Sequence, residues 1–541
     1  MKGRNTFIKR AGLSAIILFL SFNLSNISAL AAGTSADALK AAKQDIQNYY
    51  IGDVSSDALN SAADVNSLVK LLNDPYSAYF TKTQYDAFNS AVNNSFAGIG
   101  VQIEVVAEGV KIIDVYDNTP ASQAGLKSGD IITQADSHNL AGLAAEEATS
   151  YLKGDADTVV HVAVKRDTTV LNFDITRKVI DLPTVEGEML DNHIGYIGIS
   201  VFGENTAAEF KTALDSLMAS SADSYIIDLR SNPGGYMDAA LDIAGYFIGD
   251  NTAIKVQPKN GKFTAYNAVA HQELIDKPII FLVNENSASA SEILSAAVKD
   301  YKKASFIGEK TYGKGVAQTI FNLPDESYLK LTVMRFVSPL GNEINKIGIS
   351  PDLQVKEDDN TNADSLKVAE VLFNNLKGDD SKSISIDKLY GVAYSSAVNA
   401  MQLKTQKTIN ASREATESLR NTDAAWAIGE FSKQADKVQQ PFLVNIVNSI
   451  TKAQQTGKQA DINAAKASID PDLPQIWKSS YSSAIDLVQQ NLMKQLLDAQ
   501  EKAVSTKLPE DEQAAAAIYS EIKTAADPAI VAWAAQVISG K

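Results

Sequence analysis

Residues 308–315 read GEKTYGKG, which fits the phosphate-cradling pattern G-x-x-x-x-G-K-[ST] at every position but the last. Gly315 stands where a Mg²⁺-ligating hydroxyl is needed, so Lys314, between Gly313 and Gly315, is open to another chemistry. A lysine drawn into a crowded interior loses its charge and can serve as a general base; the bland alternative is a solvated lysine in a glycine turn. Hydrolysis through a nucleophile would need that base, an activated oxygen or sulfur, and donors for the oxyanion. The chain has no cysteine, which excludes sulfur and with it disulfides and thiolate metal sites. The segment NENSASASEILSAAVKD offers Ser287, Ser289 and Ser291 after the apolar run KPIIFLVN. Ser289-Ala-Ser-Glu292 also spells the capping box S-x-x-E, and a helix start suits a cap as well as it suits a developing anion. Donors for that anion could come from DLRSNPGG, where Gly234 and Gly235 let main-chain amides approach a ligand, although a plain turn has the same composition. His193 and His271 lie in settings that demand no catalytic triad.

These residues need a scaffold, and 541 residues are too many for one core; three or four units are expected. The first is an export signal: Lys2, Arg4, Lys9 and Arg10, then the short apolar run AGLSAIILFLSFNL, then ALAA, with cleavage after Ala31 or retention as an anchor. Either outcome places the folded part outside the cytoplasm, secreted or in the cell envelope, where ATP is scarce. Residues 32–95 read as a helical lead-in broken at Asp74-Pro75. Residues 96–178 change to short β-rich runs with one helical stretch near AAEEATSYL. Residues 179–356 alternate strands and helices, which predicts a layered α/β core with its polar chemistry at strand ends.

From 357 to 541 the texture is helical, with a stripe at Ile485, Val488, Leu492, Leu496, Ala499 and Ala503 and breaks near Pro471–Pro474, Pro509 and Pro528. No convincing internal repeat is evident there. The net charge of −16 argues against nucleic acid and anionic membranes as partners, since both need a basic footprint. The composition calls for no metal and no other cofactor.

Read in order, DPYSAYF, GIGVQI, ASQAGLKSGDII, IGYIGISVF, DLRSNPGG, SASASEI, GEKTYGKGVAQ and SPLGNEINKIGISPDLQV resemble the carboxyl-terminal processing peptidases, the S41 family of serine peptidases with a PDZ domain. The resemblance covers roughly 74–355 and implies a serine endopeptidase acting on proteins or peptides with exposed apolar C-termini. It implies Ser289 as nucleophile, Lys314 as general base, Gln318 holding that lysine, and the amides of Gly234 or Gly235 and of Ala290 as oxyanion donors. It also implies that 96–178 is an inserted PDZ domain. There Gly98, Ile99, Gly100 and Val101 would bind a terminal carboxylate, Ile99, Val101 and Ile103 would shape an apolar pocket, and Arg166 would be a gate contact or a solvated charge. The expected fold class is α/β multidomain: a layered α/β peptidase core, the PDZ insertion, a helical N-terminal segment and an all-α C-terminal region. The resemblance gives 361–541 no role, so a dimer surface, a wall-binding module and a substrate arm all stay open, as does a homodimer. Two rival functions are a catalytically inactive PDZ scaffold that binds protein C-termini and a P-loop nucleotide enzyme.

Overall fold

The computed structural model describes residues 35–356, 364–376, 383–524 and 527–539. The expected export signal and most of the acidic link after 355 lie outside them. The chain divides into two compact units, one reaching to Phe373 together with 377–384, and a second made of 374–376 with 385–541.

The core of the first unit is a six-stranded sheet in the order Val185–Leu190, Ile194–Ile199, Ser224–Asp228, Ile279–Val283, Ser305–Gly308, Leu353–Gln354. The first pair is antiparallel and every later pair is parallel. Ile279–Val283 is buried at every position, as its unbroken apolar run IIFLV requires of a central parallel strand. Helices Thr206–Ala219, Met237–Ile248 and Ala290–Asp300 supply Phe210, Phe247 and Leu294 to the core that also holds Phe281 and Phe306. In such sheets ligands gather where the strands end at their carboxyl side. Ser224–Asp228, Ile279–Val283 and Ser305–Gly308 are adjacent, and their carboxyl ends run directly into DLRSNPGG, NENSASAS and GEKTYGKG.

An antiparallel sheet of Ala78–Phe80, Thr252–Pro258, Thr264–Asn267, Val316–Asn322 and Tyr328–Val337 lies beside it. The lead-in helices Ala36–Tyr49 and Val65–Leu72 bury Ile46 and Leu68 against Leu329 and Leu331 of this sheet. The lead-in is thus not helical throughout: Ala78–Phe80 is a strand paired with Tyr328–Lys330, because tertiary pairing overrides a helical spacing this short.

The β-rich module has its own core, from Val110, Ile112 and Ile132 to Val164 and Ile175, and a sheet whose edge strand is Val101–Val106. Its entry and exit, Ser95–Gly98 and Lys178–Asp181, pair with each other as an antiparallel ribbon, so the module leaves and rejoins the chain at one place.

The C-terminal unit corrects the reading that it has no repeat. Hairpins Ile386–Leu403/Gln406–Glu417, Ile428–Thr456/Gln459–Ser468 and Gln475–Thr506/Pro509–Ile522 share one design, and Pro528–Ser539 follows them. Each first helix ends on a left-handed residue, Lys404, Gly457 or Lys507, whose amide reaches Ala400, Ala453 or Ala503. Gln406 exchanges two hydrogen bonds with Gln439 (3.2 and 2.6 Å), and Gln459 does the same with Gln489 (2.8 and 2.8 Å). Asn410 donates to the Asp472 carbonyl and Asn463 to that of Thr524, at 2.5 and 2.6 Å. The predicted stripe is buried at Ile485, Val488, Leu492, Leu496 and Ala503, while Ala499 is half-buried.

Candidate active site

The three serines part company in the structure. Ser287 Oγ donates to the Leu229 carbonyl (2.7 Å) and Ser291 Oγ to that of Asn232 (3.0 Å), and both residues are fully buried. They stitch the serine loop to DLRSN. Ser289 is only half-buried, and its backbone sits at φ 56°, ψ −109°, a region that non-glycine residues rarely occupy. Such strain costs about 1–3 kcal/mol and persists only where the surroundings impose it. Here it turns the chain sharply between strand Ile279–Val283 and helix Ala290–Asp300, placing Ser289 at a positive helix end.

Glu292, the other half of the expected capping box, does more than cap. Its buried carboxylate accepts the Ser289 amide (2.9 Å), the Thr311 hydroxyl (2.6 Å), and the amides of Gly313 (2.7 Å) and Lys314 (2.8 Å). One side chain therefore ties the serine turn to the lysine loop. Burial raises its pKa, and the hydrogen bonds from Thr311, Gly313, Lys314 and Ser289 pull the other way.

The lysine loop passes from strand Ser305–Gly308 into strand Val316–Asn322. No helix starts at Gly315, so the loop lacks the helix N-terminus on which a P-loop depends. Glycine is required at 315, since a Cβ there would lie 2.4 Å from the Asn345 amide nitrogen. Lys314 Nζ lies 4.9 Å from the centre of the Tyr76 ring. Burial, and secondarily the charge of Lys330, bring its pKa down from 10.5 to about 8.

Two expected contacts do not appear. Among the described residues no hydrogen bond joins Lys314 to Ser289 Oγ, and the Gln318 amide donates to Thr332 Oγ1 (3.3 Å) rather than facing Lys314. The register explains the second: a shift between Ala317 and Gln318 pairs Gln318 with Thr332 on the adjoining strand.

Of the two glycines, Gly234 donates its amide to Asn232 Oδ1 (2.9 Å). The Gly235 and Ala290 amides make no hydrogen bond among the described residues. The two loops approach closely, since a Cβ on Gly234 would lie 2.7 Å from Ser289 Cβ and 2.9 Å from the Ala290 nitrogen. Neither histidine is placed to compete with Lys314. His193 precedes the amino end of strand Ile194–Ile199, whereas the motifs sit at carboxyl ends. His271 stacks on Tyr246 at 3.7 Å with Nε2 3.0 Å from Asp242.

In the β-rich module, Gly98 closes the ribbon, Gly100 has φ 86°, and Val101 opens the edge strand. The carbonyls of Ile99 and Gly100 accept from Ala121 (2.8 Å) and Tyr116 (3.1 Å), which fixes the loop's direction. The Ile99 side chain is buried in the module's core, and Val101 and Ile103 are half-buried and packed against that core. Arg166 is not a solvated charge. It grips buried Asp130 through two 2.7 Å bonds and the Gly125 carbonyl at 2.9 Å. Sequence reasoning missed Lys330, Tyr76, Asn232 and the full reach of Glu292; for Glu292 the S-x-x-E string was the available signal.

Residues 193–355 match the model of peptidase family S41, and 97–176 match that of the PDZ domain. A carboxy-terminal processing protease CtpA of Bacillus subtilis is 35% identical over 349 residues, covering 63% of this chain and 74% of the relative. A probable CtpA-like serine protease of Staphylococcus aureus is 33% identical over 406 residues, covering 74% and 79%. Among solved structures, a photosystem II D1 C-terminal processing protease aligns with a TM-score of 0.40 at 24% identity, over 60% of this chain and 94% of that one. The chain belongs to peptidase family S41, and within it to the carboxy-terminal processing serine proteases that carry a PDZ domain.

Proposed function

We propose that this protein is an exported endopeptidase that cleaves protein substrates near their C-termini with Ser289 as nucleophile and Lys314 as general base. The observation that carries this reading is the shared anchor: Glu292 binds the amides of both a strained, half-buried serine and a lysine whose pKa lies near 8. Lys314 takes the Ser289 hydroxyl proton as Oγ attacks the scissile carbonyl, and the oxyanion forms against the amides of Gly235 and Ala290. The resulting ammonium protonates the departing amine. A water, deprotonated by the same lysine, then releases the acyl group from Ser289. For this Lys314 Nζ must swing from the Tyr76 ring to Ser289, in keeping with catalytic hydrogen bonds that tighten only once substrate binds. Gln318 is assigned to hold Lys314 in that second position.

The substrate's last residues add a strand to the open edge at Val101–Val106, with the terminal carboxylate at the loop of Gly98, Ile99, Gly100 and Val101. Because the Ile99 side chain is core, its main chain serves the carboxylate while Val101 and Ile103 meet the apolar side chains. The export reading rests on the N-terminal sequence, and no described helix is long and apolar enough to cross a membrane. Cleavage of a peptide ending in apolar residues tests the proposal: Ser289→Ala and Lys314→Ala should each lower kcat at least about 10³-fold, as removing a catalytic-unit member does. Cleavage that survives both substitutions would remove Ser289 and Lys314 as the catalytic pair.

A further inference from the structure

Asn232 is fully buried, and both of its side-chain polar atoms are bonded. Nδ2 donates to the Ile199 carbonyl (2.8 Å), and Oδ1 accepts the Gly234 amide (2.9 Å). Its own amide reaches the Leu229 carbonyl (3.1 Å), and its carbonyl accepts from the Ala288 amide and Ser291 Oγ, each at 3.0 Å. The glycine turn and the serine loop, which come from different strands, therefore meet on one residue. The bond to Gly234 is an Asx turn that closes across Pro233 and leads into glycines at φ 103° and 141°. It occupies the Gly234 amide, while the Asn232 carbonyl fixes Ala288 and Ser291 on either side of the Ser289-Ala290 amide.

We infer that Asn232 is the positioning residue of the oxyanion site: its side-chain oxygen sets the direction of the Gly235 amide, and its carbonyl sets that of Ala290. This rests on the assignment of Gly235 and Ala290 as donors in the proposed reaction. Asn232 touches no reacting atom. A misdirected donor weakens the transition state and leaves substrate binding alone, so the loss should fall on kcat.

Asn232→Ala and Asn232→Ser both lose the Ile199 bond, but a serine hydroxyl can still accept the amide two residues on. Their difference therefore isolates the acceptor. In the full chain, Asn232→Ala should lower kcat about 10–100-fold with KM within about twofold. Affinity for a peptide aldehyde, which forms a tetrahedral adduct on the serine, should fall in parallel. Binding of a C-terminal peptide by the PDZ domain should be unchanged, and Asn232→Ser should recover most of kcat. Equal losses in the Ala and Ser variants, or a loss confined to KM, would overturn the assignment. If the Ala variant does not fold, the volume-matched Asn232→Thr and Asn232→Val pair decides the same question, Thr retaining the acceptor and Val lacking it. Ser289→Ala separates the two levels: full cleavage by that variant overturns Ser289 as the nucleophile of the proposed reaction. A fully active Asn232→Ala beside a dead Ser289→Ala overturns the role of Asn232 alone.

Discussion

Lys314 is held toward neutrality by two causes that separate experimentally: burial, the larger, and the nearby Lys330. Lys330 is itself half-buried, lies over the rings of Phe88 (4.8 Å) and Phe80 (5.6 Å), and has a pKa near 8, lowered by desolvation against the pull of Asp74. Replacing Lys330 with Met removes the like charge, so the Lys314 pKa should rise and the alkaline climb of kcat/KM should move to higher pH. At neutral pH the variant should be about two- to tenfold less active; a profile that stays in place would deny the coupling. Stability follows from the same shifts. Both lysines titrate in the folded state near 8, below their ordinary 10.5, so between those values the unfolded chain holds more protons and stability rises with pH. Below about 8 the cost of two buried ammonium groups is fully present, and Lys330→Met should raise Tm there and flatten the climb. Ser289 and Lys314 were legible as letters in a motif. Lys330 was not, because its burial comes from Ala78–Phe80 and the helix Lys82–Val92, which meet it only through tertiary pairing.

At the scale of elements, the fold puts three loops together by making their strands neighbours. Apolar runs and turn residues marked those strands in the sequence. Thr252–Pro258 and Thr264–Asn267 went unread, since their mixed polar residues carry no clear alternation. The helical repeat was also hidden. Its units share little beyond Q-x-x-I-N-A at 406–411 and 459–464, and the partners Gln439 and Gln489 lie in the following helices. Those buried glutamine pairs predict an asymmetry. Gln459→Leu alone strands the Gln489 amide and should cost about 1–3 kcal/mol. Changing both to Leu should restore most of that, and denaturant titration of the two variants checks it.

For the whole molecule, the PDZ domain is tethered by a single ribbon, Ser95–Gly98 with Lys178–Asp181, while the peptidase sheet brings the reacting groups together. If the loop at Gly98–Val101 takes a terminal carboxylate, amidating a substrate's C-terminus should lower its affinity for the protein about 10–100-fold, the value of hydrogen bonds to one charged group. Equal affinity for acid and amide in a calorimetric titration would remove the carboxylate from recognition. The domain order was readable because each change of texture along the chain marks a change of packing; the placement of Lys314 over Tyr76 was not, because it depends on a rotamer. The chemistry itself is tested most directly by the pH dependence of Ser289 phosphonylation by a fluorophosphonate, with fluoride as the leaving group, in the full chain. The rate should climb through an apparent pKa near 8, the value of Lys314, and vanish in Ser289→Ala. A rate flat between about pH 6 and 10, or a label carried by another residue, would contradict Lys314 as the base of Ser289.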